Sequence, residues 1–392
     1  MPRLCRGAPS VWGFGGHFGA PNQMIAVNAA IVGDRPTGLG LYAVHLIREL
    51  DSLGERLVVY TSRPDAIQAP GARVERVPAA VRPEHGARGH LARLLWTQSG
   101  LRYRVARLRP RVLLNLMPEG LLRPAVPQVT VVHDLLPLRS PGEYPRQQYY
   151  FRHYVPAVLR HSRAVIVSSE STRRDLVDFY RLSPDKLHVV LLGYDTARFA
   201  PAPAPYDGAP YALFVGNVMP HKNLLRLVEA FAAAVRGMSG RLVIRGWGRP
   251  GHVGALQARI ATLGIADRVD WRQYAADDEL PDLYRRARML LLPSLSEGFG
   301  LTALEAMACG TPVVVSNRSS LPEVVGDAAL FVDPEDPTSI ATAIRRLFTD
   351  DTLAKTHAAR GLKRAQLFSW QKTARAVQSI LHNVMAAENP SK

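Results

Sequence analysis

Two carboxylates flank a glycine turn in the second half of the chain, where Glu297 begins the run Glu-Gly-Phe-Gly and Glu305 follows eight residues later. Residues 289–292 are continuously apolar and predict a buried strand before the turn, and residues 301–309 predict a helix after it. A helix N-terminus offers unpaired N–H groups and a positive dipole end, and glycines let a ligand approach the backbone. Eight helical steps add roughly 80° of rotation, so both carboxylates can face one ligand. The segment suits a ligand that carries phosphates and hydroxyls together, which describes a sugar nucleotide.

Lys222 lies in a second position suited to phosphate. It follows the strand predicted at 212–215 and precedes the helix predicted at 224–235, where a compact cation can reach a diphosphate. Only six of the 49 basic residues are lysines, which makes a chance surface lysine a weaker explanation. The segment is not a P-loop, because the second glycine is missing and Asn223 stands in place of Ser or Thr.

His133 ends the strand predicted at 129–133 and is followed by Asp134. The carboxyl ends of parallel strands meet at one edge of a sheet, so we expect His133 to point into a ligand cleft. No carboxylate pair is arranged as acid and base, which fits a nucleoside diphosphate because this leaving group departs without proton donation. The sequence also has no Asp-x-Asp motif and no credible His/Cys cluster, so we expect neither a metal nor a bound cofactor.

Composition limits the class of protein. A chain of 392 residues exceeds what one hydrophobic core usually supports, so we expect two domains, and 47% apolar residues argue against disorder. The two cysteines, Cys5 and Cys309, are too few for a disulfide framework and favour the cytoplasm. No apolar run reaches the ~18 residues of a membrane span. Residues 1–23 read poorly as a signal peptide, and with Met24 as a second candidate start we expect them to be a flexible extension.

The formal charge of +16 is concentrated in the first half of the chain. Residues 1–200 contain 27 Lys or Arg against 15 Asp or Glu, a difference of +12, and residues 201–392 contain 22 against 18, a difference of +4. Residues 82–111 place eight arginines among leucines and a tryptophan, a pattern that fits peripheral contact with an anionic membrane. A solvated helix face in an Arg-rich protein explains the pattern equally well. Nucleic acid is disfavoured because zinc-finger spacing and RNP-like motifs are missing.

Strand-like and helix-like segments alternate along residues 25–191, beginning with a strand predicted at 25–32, and the alternation restarts at 212. The Pro- and Gly-rich stretch 193–210 breaks the pattern and predicts a domain boundary. Two helices, at 338–348 and 372–385, are predicted to finish the chain. Two successive β/α alternations indicate two doubly wound parallel sheets, with ligands bound in the cleft between them.

The motifs together resemble retaining glycosyltransferases of the GT-B fold, family GT4. The resemblance rests on four features in order: Pro-Thr-Gly-Leu-Gly at 36–40, Gly-Asn-Val-Met-Pro-His-Lys-Asn at 216–223, the two-carboxylate run at 297–314, and Ser-Trp at 369–370. It covers nearly all of residues 24–385. The first two motifs most resemble mannosyl- and rhamnosyl-type enzymes that build bacterial surface polysaccharides. The implied fold is α/β, with two Rossmann-like domains facing each other across a cleft.

The resemblance also implies roles for single residues. It places the donor sugar and diphosphate against the glycine turn, with Lys222 on the diphosphate, Glu297 on hydroxyls of the sugar and Glu305 on the ribose. Three residues are predicted to be catalytic: His133, which would contact the transferred sugar, Lys222 and Glu297. The predicted donor-binding residues are Gly38, Gly40, Gly246, Tyr274, Gly298, Phe299, Gly300, Leu301 and Glu305.

Some expectations follow from where the chain matches or departs from that family. Asn217 and His221 stand where many members place arginines, so either fewer charges or another basic residue holds the diphosphate. The implied domains are an extension at 1–23, an acceptor domain at 24–195, a linker at 196–210, a donor domain at 211–371 and a helix at 372–392 that returns to the acceptor domain.

The predicted activity is transfer of mannose or rhamnose, with GDP-mannose or GDP-rhamnose favoured and UDP sugars open, to a glycan or lipid-linked glycan. We expect a cytoplasmic enzyme, peripheral on the inner face of the membrane. A sugar-nucleotide epimerase on a related fold is the main alternative, and a non-catalytic scaffold with this fold is another. An NAD dehydrogenase is disfavoured because no Gly-x-Gly-x-x-Gly follows a predicted strand.

Overall fold

Two parallel β-sheets organise the chain, and the computed structural model describes residues 24–34, 38–202, 210–273 and 279–387. The extension expected at 1–23 and part of the expected linker lie outside the described residues. The first sheet contains β1 (Met24–Asn28), β2 (Arg56–Thr61), β3 (Arg73–Arg76), β4 (Val112–Asn115), β5 (Gln128–Val132), β6 (Ala164–Val167) and β7 (Leu187–Val189). The second contains β8 (Tyr211–Val215), β9 (Arg241–Arg245), β10 (Val269–Arg272), β11 (Met289–Leu292), β12 (Val313–Ser316) and β13 (Leu330–Val332).

Both sheets have doubly wound topology. The first has the strand order β3-β2-β1-β4-β5-β6-β7 and the second β10-β9-β8-β11-β12-β13. The strand pairs in the described part of the chain are parallel. Four successive buried residues in β11 show the apolar run of a strand covered on both faces. The fold is therefore the two-domain α/β architecture predicted from the sequence.

Helices connect the strands and cover the sheets. The helices are α1 (Gly38–Ser52), α2 (Gly86–Trp96), α3 (Arg102–Leu108), α4 (Leu136–Arg139), α5 (Gln147–Tyr149), α6 (Val155–Arg160), α7 (Glu170–Tyr180), α8 (Leu224–Ala234), α9 (Pro250–Thr262), α10 (Leu280–Arg286), α11 (Leu301–Ala308), α12 (Leu321–Val325), α13 (Pro337–Thr349), α14 (Asp351–Ala365) and α15 (Trp370–Ala387). A π-helical turn at Thr97–Leu101 joins α2 to α3, so residues 86–108 form one continuous helical segment.

The sequence-based elements need correction in several places, since the edge strand β3, the helices within residues 136–160 and the helix α12 were not predicted. The strand predicted at 25–32 ends at Asn28, because Asn28 Nδ2 donates to the Glu119 carbonyl and the chain then turns, with Val32 N–H donating to the Ala29 carbonyl. A third helix, α14, lies between the two predicted near the C-terminus. Its N-terminus is capped by Asp350, whose side chain accepts from Leu353 N–H.

The last helix contacts the first sheet's domain, although it follows the second in sequence. Thr373 Oγ1 in α15 donates to the Leu191 carbonyl at 2.8 Å, and Arg111 Nη2 donates to the Met385 carbonyl at 2.9 Å. Gln378 Nε2 also donates to Glu55 at 2.7 Å. The two domains are thus joined at two places along the chain.

The topology brings particular loops together. In the second sheet, β8 and β11 are neighbours whose connections leave toward opposite sides, which makes this position the topological switch point. The loops after β8 and β11 contain Lys222 and Glu297, respectively. Switch points form crevices at the carboxyl ends of strands, and these two loops face the first domain there.

Candidate functional site

Lys222 and Glu297 form an ion pair at the switch point of the second sheet. Lys222 Nζ lies 2.6 Å from Glu297 Oε1 and 2.8 Å from Oε2. Only 18% of the lysine side chain and 10% of the glutamate side chain are exposed. The two loops are also joined through their backbones, since Leu295 N–H donates to the His221 carbonyl at 2.7 Å. The sequence predicted both residues at the site, and the structure places them in direct contact.

Serine hydroxyls fix the position of Glu297. Ser294 Oγ donates to Glu297 Oε1 at 2.7 Å. Ser319 Oγ donates to the Glu297 carbonyl at 2.7 Å and accepts from the Glu297 N–H at 3.2 Å. Ser320 Oγ lies 3.0 Å from the Glu297 carbonyl and 2.9 Å from the Phe299 carbonyl, so its single hydrogen is shared between these two acceptors. The turn after β11, residues 297–300, is therefore held in one conformation before any ligand arrives.

The two glycines of this turn are required by its surroundings. A Cβ atom on Gly298 would lie 2.7 Å from the His133 carbonyl oxygen, so the turn is pressed against the first domain. Gly300 has a φ of 105° and precedes the first residue of α11, Leu301, which is partly buried. A glycine at this position supplies no capping side chain, which leaves the helix N-terminus to a ligand. Phe299 is 5% exposed, and its ring packs near the ring of Phe368, so its side chain belongs to the core.

His133 and Asp134 lie across the crevice from the ion pair. Burial lowers the pKa of His133 to about 4, so the ring is neutral near pH 7. The Leu116 backbone hydrogen-bonds the ring, and Nε2 is buried with no partner in the described part of the chain. Burial raises the pKa of Asp134, and the charges that also act on it are those of His221, Glu297 and Lys222. Groups from both domains therefore share one electrostatic environment.

His221 and Glu143 form a second contact between the domains. His221 Nδ1 lies 2.9 Å from Glu143 Oε2; the His221 side chain is buried and the Glu143 side chain is partly buried. Arg249, which follows β9, donates to the Glu143 carbonyl at 3.4 Å. Arg249 is exposed and reaches the crevice edge. It is thus a basic residue near the position where the sequence has Asn217 in place of an arginine.

Glu305 lies in different surroundings from Glu297. Its Oε2 accepts from the Tyr284 hydroxyl at 3.0 Å, and burial raises its pKa to about 7. The other charges acting on it are those of Arg198 and Asp195, which are near the connection between the domains. The two carboxylates therefore have separate hydrogen-bond partners, although the sequence suggested that they face one ligand.

The remaining predicted site residues lie near strand ends or at a helix start. Gly246 follows β9, and a Cβ atom there would lie 1.7 Å from the Gly216 carbonyl oxygen, which makes this a close crossing of backbones. Gly38 begins α1 with a φ of 24°, and Gly40 is buried in its first turn. Tyr274 lies outside the described residues. Across the residues the structure describes, His, Cys, Asp and Glu do not gather in groups of three that could hold a metal.

Sequence reasoning missed the residues that join the domains. Ser168 Oγ and Ser169 Oγ both donate to the Gly298 carbonyl, at 3.1 and 3.0 Å. These serines follow β6 directly, and Ser319 and Ser320 lie in the loop after β12, separated from its end by two residues. A pair of adjacent serines in the loop after a predicted buried strand is a sequence signal that could have identified both serine pairs. Glu143 gave no such signal, because it lies in an irregular segment.

Two family descriptions match the chain. "Glycosyltransferase Family 4" matches residues 36–198, and "Glycosyl transferases group 1" matches residues 195–364. The two matches divide the chain close to the boundary between the two sheets.

Relatives and solved structures agree with these matches. The chain is 32% identical over 254 residues to the O-antigen chain mannosyltransferase B of Escherichia coli, covering 62% of this chain and 67% of that protein. It is 33% identical over 247 residues to the MMP alpha-(1->4)-mannosyltransferase of Mycolicibacterium hassiacum, covering 62% and 59%. The sucrose-phosphate synthase structure from Thermosynechococcus elongatus has a TM-score of 0.77 at 22% identity, covering 93% of this chain and all of that one.

Proposed function

The chain belongs to the group 1 glycosyltransferases and has the GT-B fold, and we propose that it is a retaining, metal-independent hexosyltransferase. The proposed donor is a nucleoside-diphosphate mannose or rhamnose. The proposed acceptor is a glycan or lipid-linked glycan in surface polysaccharide synthesis. Mannose is favoured because the relatives named above are mannosyltransferases.

One observation carries the proposal, namely the Lys222–Glu297 ion pair beside the uncapped N-terminus of α11. A diphosphate bound there receives the lysine charge and the helix N–H groups, both of which stabilise negative charge as it develops on the leaving group. When Lys222 turns to the phosphate, Glu297 becomes free to accept hydrogen bonds from sugar hydroxyls. The same pair thus supplies one group for each half of the donor.

His133 would act on the transferred sugar by hydrogen bonding. A ring with a pKa of about 4 is a poor proton donor near pH 7, so general-acid catalysis by His133 is not part of the proposal. The Leu116 backbone occupies one side of the ring, which leaves the buried Nε2 to accept a hydrogen bond from a hydroxyl. We infer that the acceptor attacks on the face that the diphosphate leaves, and that a phosphate oxygen takes its proton.

The experiment is a transfer assay with purified protein and separate GDP, UDP, dTDP and ADP sugars. Each reaction contains an oligosaccharide or lipid-linked glycan acceptor, with and without EDTA. The expected result is transfer from GDP-mannose or GDP-rhamnose, unaffected by EDTA, with the anomeric configuration retained in the NMR spectrum of the product. Conversion of the donor sugar without acceptor, or a product of inverted configuration, would contradict the proposal.

The membrane is the proposed site of the acceptor, and residues 86–108 form the proposed contact. Along this segment Leu91, Leu95 and Tyr103 are 57%, 63% and 62% exposed, and they follow helical spacing on the side away from the core. Arg88 and Arg102 are exposed beside them. Apolar side chains rimmed by arginines complement an anionic lipid surface. The described residues contain no helix with the length and hydropathy needed to cross a bilayer.

Vesicle flotation tests the membrane contact separately from catalysis. We expect binding to vesicles with anionic phosphatidylglycerol, weak binding to phosphatidylcholine alone, and loss of binding in the double variant Leu91→Ser/Leu95→Ser. Leu367→Ser is the matched control, since Leu367 is 56% exposed in the other domain. Equal flotation of all variants, or binding that ignores lipid charge, would reject this surface.

A further inference from the structure

The N-terminus of α7 in the first domain is completed by a carboxylate from the second domain. Glu323, in α12, accepts from Glu170 N–H at Oε2, 2.6 Å away, and from Ser171 N–H at Oε1, 2.8 Å away. Glu170 and Ser171 are the first two residues of this 11-residue helix. The Glu323 side chain is 24% exposed, so the contact is largely shielded from water.

All four N-terminal N–H groups of α7 have partners. Thr172 N–H donates to the Ser169 hydroxyl at 3.1 Å, and Arg173 N–H donates to the Ser169 carbonyl at 3.0 Å. The first two N–H groups depend on Glu323 instead. Separating the domains would therefore expose two N–H groups and one carboxylate, and would remove a negative charge from the positive end of the helix dipole.

The contact between Glu323 and α7 is connected to the glycine turn at residues 297–300, called here the donor turn, through the residues just before α12. Ser319 and Ser320 bind the backbone of Glu297 and Phe299, and Glu323 follows three residues after Ser320. On the other side, Ser168 and Ser169 bind the Gly298 carbonyl immediately before α7. The turn at 297–300 and the N-terminus of α7 are thus held by one hydrogen-bond network that spans both domains.

We propose that Glu323 is a positioning residue that holds the two domains closed over the donor turn. It contacts neither the ion pair nor His133 in the structure, so it acts through domain closure. This inference rests on the proposed glycosyl transfer for its kinetic readout only. Domain closure in the free protein can be measured without any substrate.

Two substitutions break the contact from opposite sides. Glu323→Gln removes the charge and places an amide group against two N–H donors. Glu170→Pro removes the first N–H of α7, at the helix position where proline is best tolerated. The preceding residue, Ser169, has φ −155° and ψ 158°, an extended conformation compatible with a following proline. Because the two variants are chemically unrelated, the test remains valid with one of them if the other folds poorly.

Each variant has a matched control. Glu229→Gln makes the same chemical change at a residue that pairs with Arg259 inside the second domain. Glu170→Ala removes the Glu170 side chain but keeps its N–H group. Both controls are expected to retain the wild-type radius of gyration and kinetics.

The experiment is small-angle X-ray scattering without donor, followed by steady-state kinetics. We expect Glu323→Gln and Glu170→Pro to increase the radius of gyration and to raise the donor KM about tenfold, because charge-assisted hydrogen bonds that favour the closed form are lost. The kcat at saturating donor should change less than twofold, since bound donor restores closure. A folded Glu323→Gln protein with the scattering and KM of Glu229→Gln would overturn the proposal. Absence of transfer by the wild type would reject the proposed function while the scattering result still decides closure.

Discussion

The Lys222–Glu297 pair allows the stability and the activity of the site to be separated by a double-mutant cycle. Lys222→Met leaves the Glu297 carboxylate mostly buried, without its cation and within the electrostatic influence of Asp134. Two unit charges about 3 Å apart attract by roughly 5 kcal/mol at an effective dielectric constant of about 20. Desolvation of both groups offsets much of this attraction, and we expect a net coupling of about 1–3 kcal/mol.

The expected stability pattern follows from which charge is left unpaired. In a domain of this size 1 kcal/mol corresponds to about 2–4 °C in the melting temperature, so a loss of about 1–3 kcal/mol in Lys222→Met should lower it by roughly 2–12 °C. Adding Glu297→Gln should recover most of that loss, because no unpaired charge remains. Lys372→Met is the control, since the Lys372 ammonium donates to the Leu367 carbonyl rather than to a carboxylate.

The expected activity pattern differs from the stability pattern, because the second substitution should restore stability but not activity. Lys222→Met should reduce kcat about 10²–10³-fold, the usual cost of losing one group that stabilises transition-state charge. The double variant with Glu297→Gln should stay equally inactive although its stability returns. Thermal unfolding and donor turnover, measured on the same four proteins, provide the two readouts. A Lys222→Met enzyme with kcat within threefold of wild type would refute the role given to this lysine.

Three further perturbations test the burial described above. His133→Asn should flatten the pH dependence of the free energy of unfolding between about pH 4 and 6.5. Folding lowers the pKa of His133, so the wild-type protein loses stability as pH falls through that window, and the variant lacks this loss. Melting curves at several pH values check this. Glu305→Gln should show the opposite pH dependence, because the raised pKa of Glu305 makes the wild type lose stability as pH rises; the variant should gain on the order of 3 kcal/mol relative to wild type between about pH 4.5 and 7, and equal differences at pH 5 and pH 8 would contradict it. Gly246→Ala should destabilise the second domain by about 3 kcal/mol or more, since its Cβ would overlap the Gly216 carbonyl, whereas Gly254→Ala, with open space around it in α9, should be neutral or stabilising in the same unfolding assay.

The periodicity of apolar residues predicted two parallel sheets and the position of the glycine turn, but it missed the edge strand β3, which contains one apolar residue and no buried one. Buried parallel strands have continuous apolar runs, and the glycine turn at 297–300 lies in the loop after such a run at 289–292. Lys222 and Glu297 were assigned to one donor through the resemblance to the glycosyltransferase family; the structure adds that they follow β8 and β11, which are neighbours at the switch point.

The contacts between the domains could not be predicted in the same way. They join residues far apart in sequence through single hydrogen bonds, such as Glu323 to Ser171, and leave no periodic pattern. The surroundings of Glu305 could not be predicted either. Helical spacing predicts the direction of its side chain, but not that the Tyr284 hydroxyl lies within hydrogen-bond distance of it. The helix α14 was missed since its apolar positions are sparse and its charged residues resemble a linker.

A crystal structure of the protein with an intact nucleoside-diphosphate sugar tests the central claim most directly. The account predicts that the diphosphate lies against the N-terminus of α11 with Lys222 Nζ within hydrogen-bond distance of a phosphate oxygen, and that Glu297 accepts from sugar hydroxyls. A nucleotide bound elsewhere, with the Lys222–Glu297 pair unchanged, would contradict it.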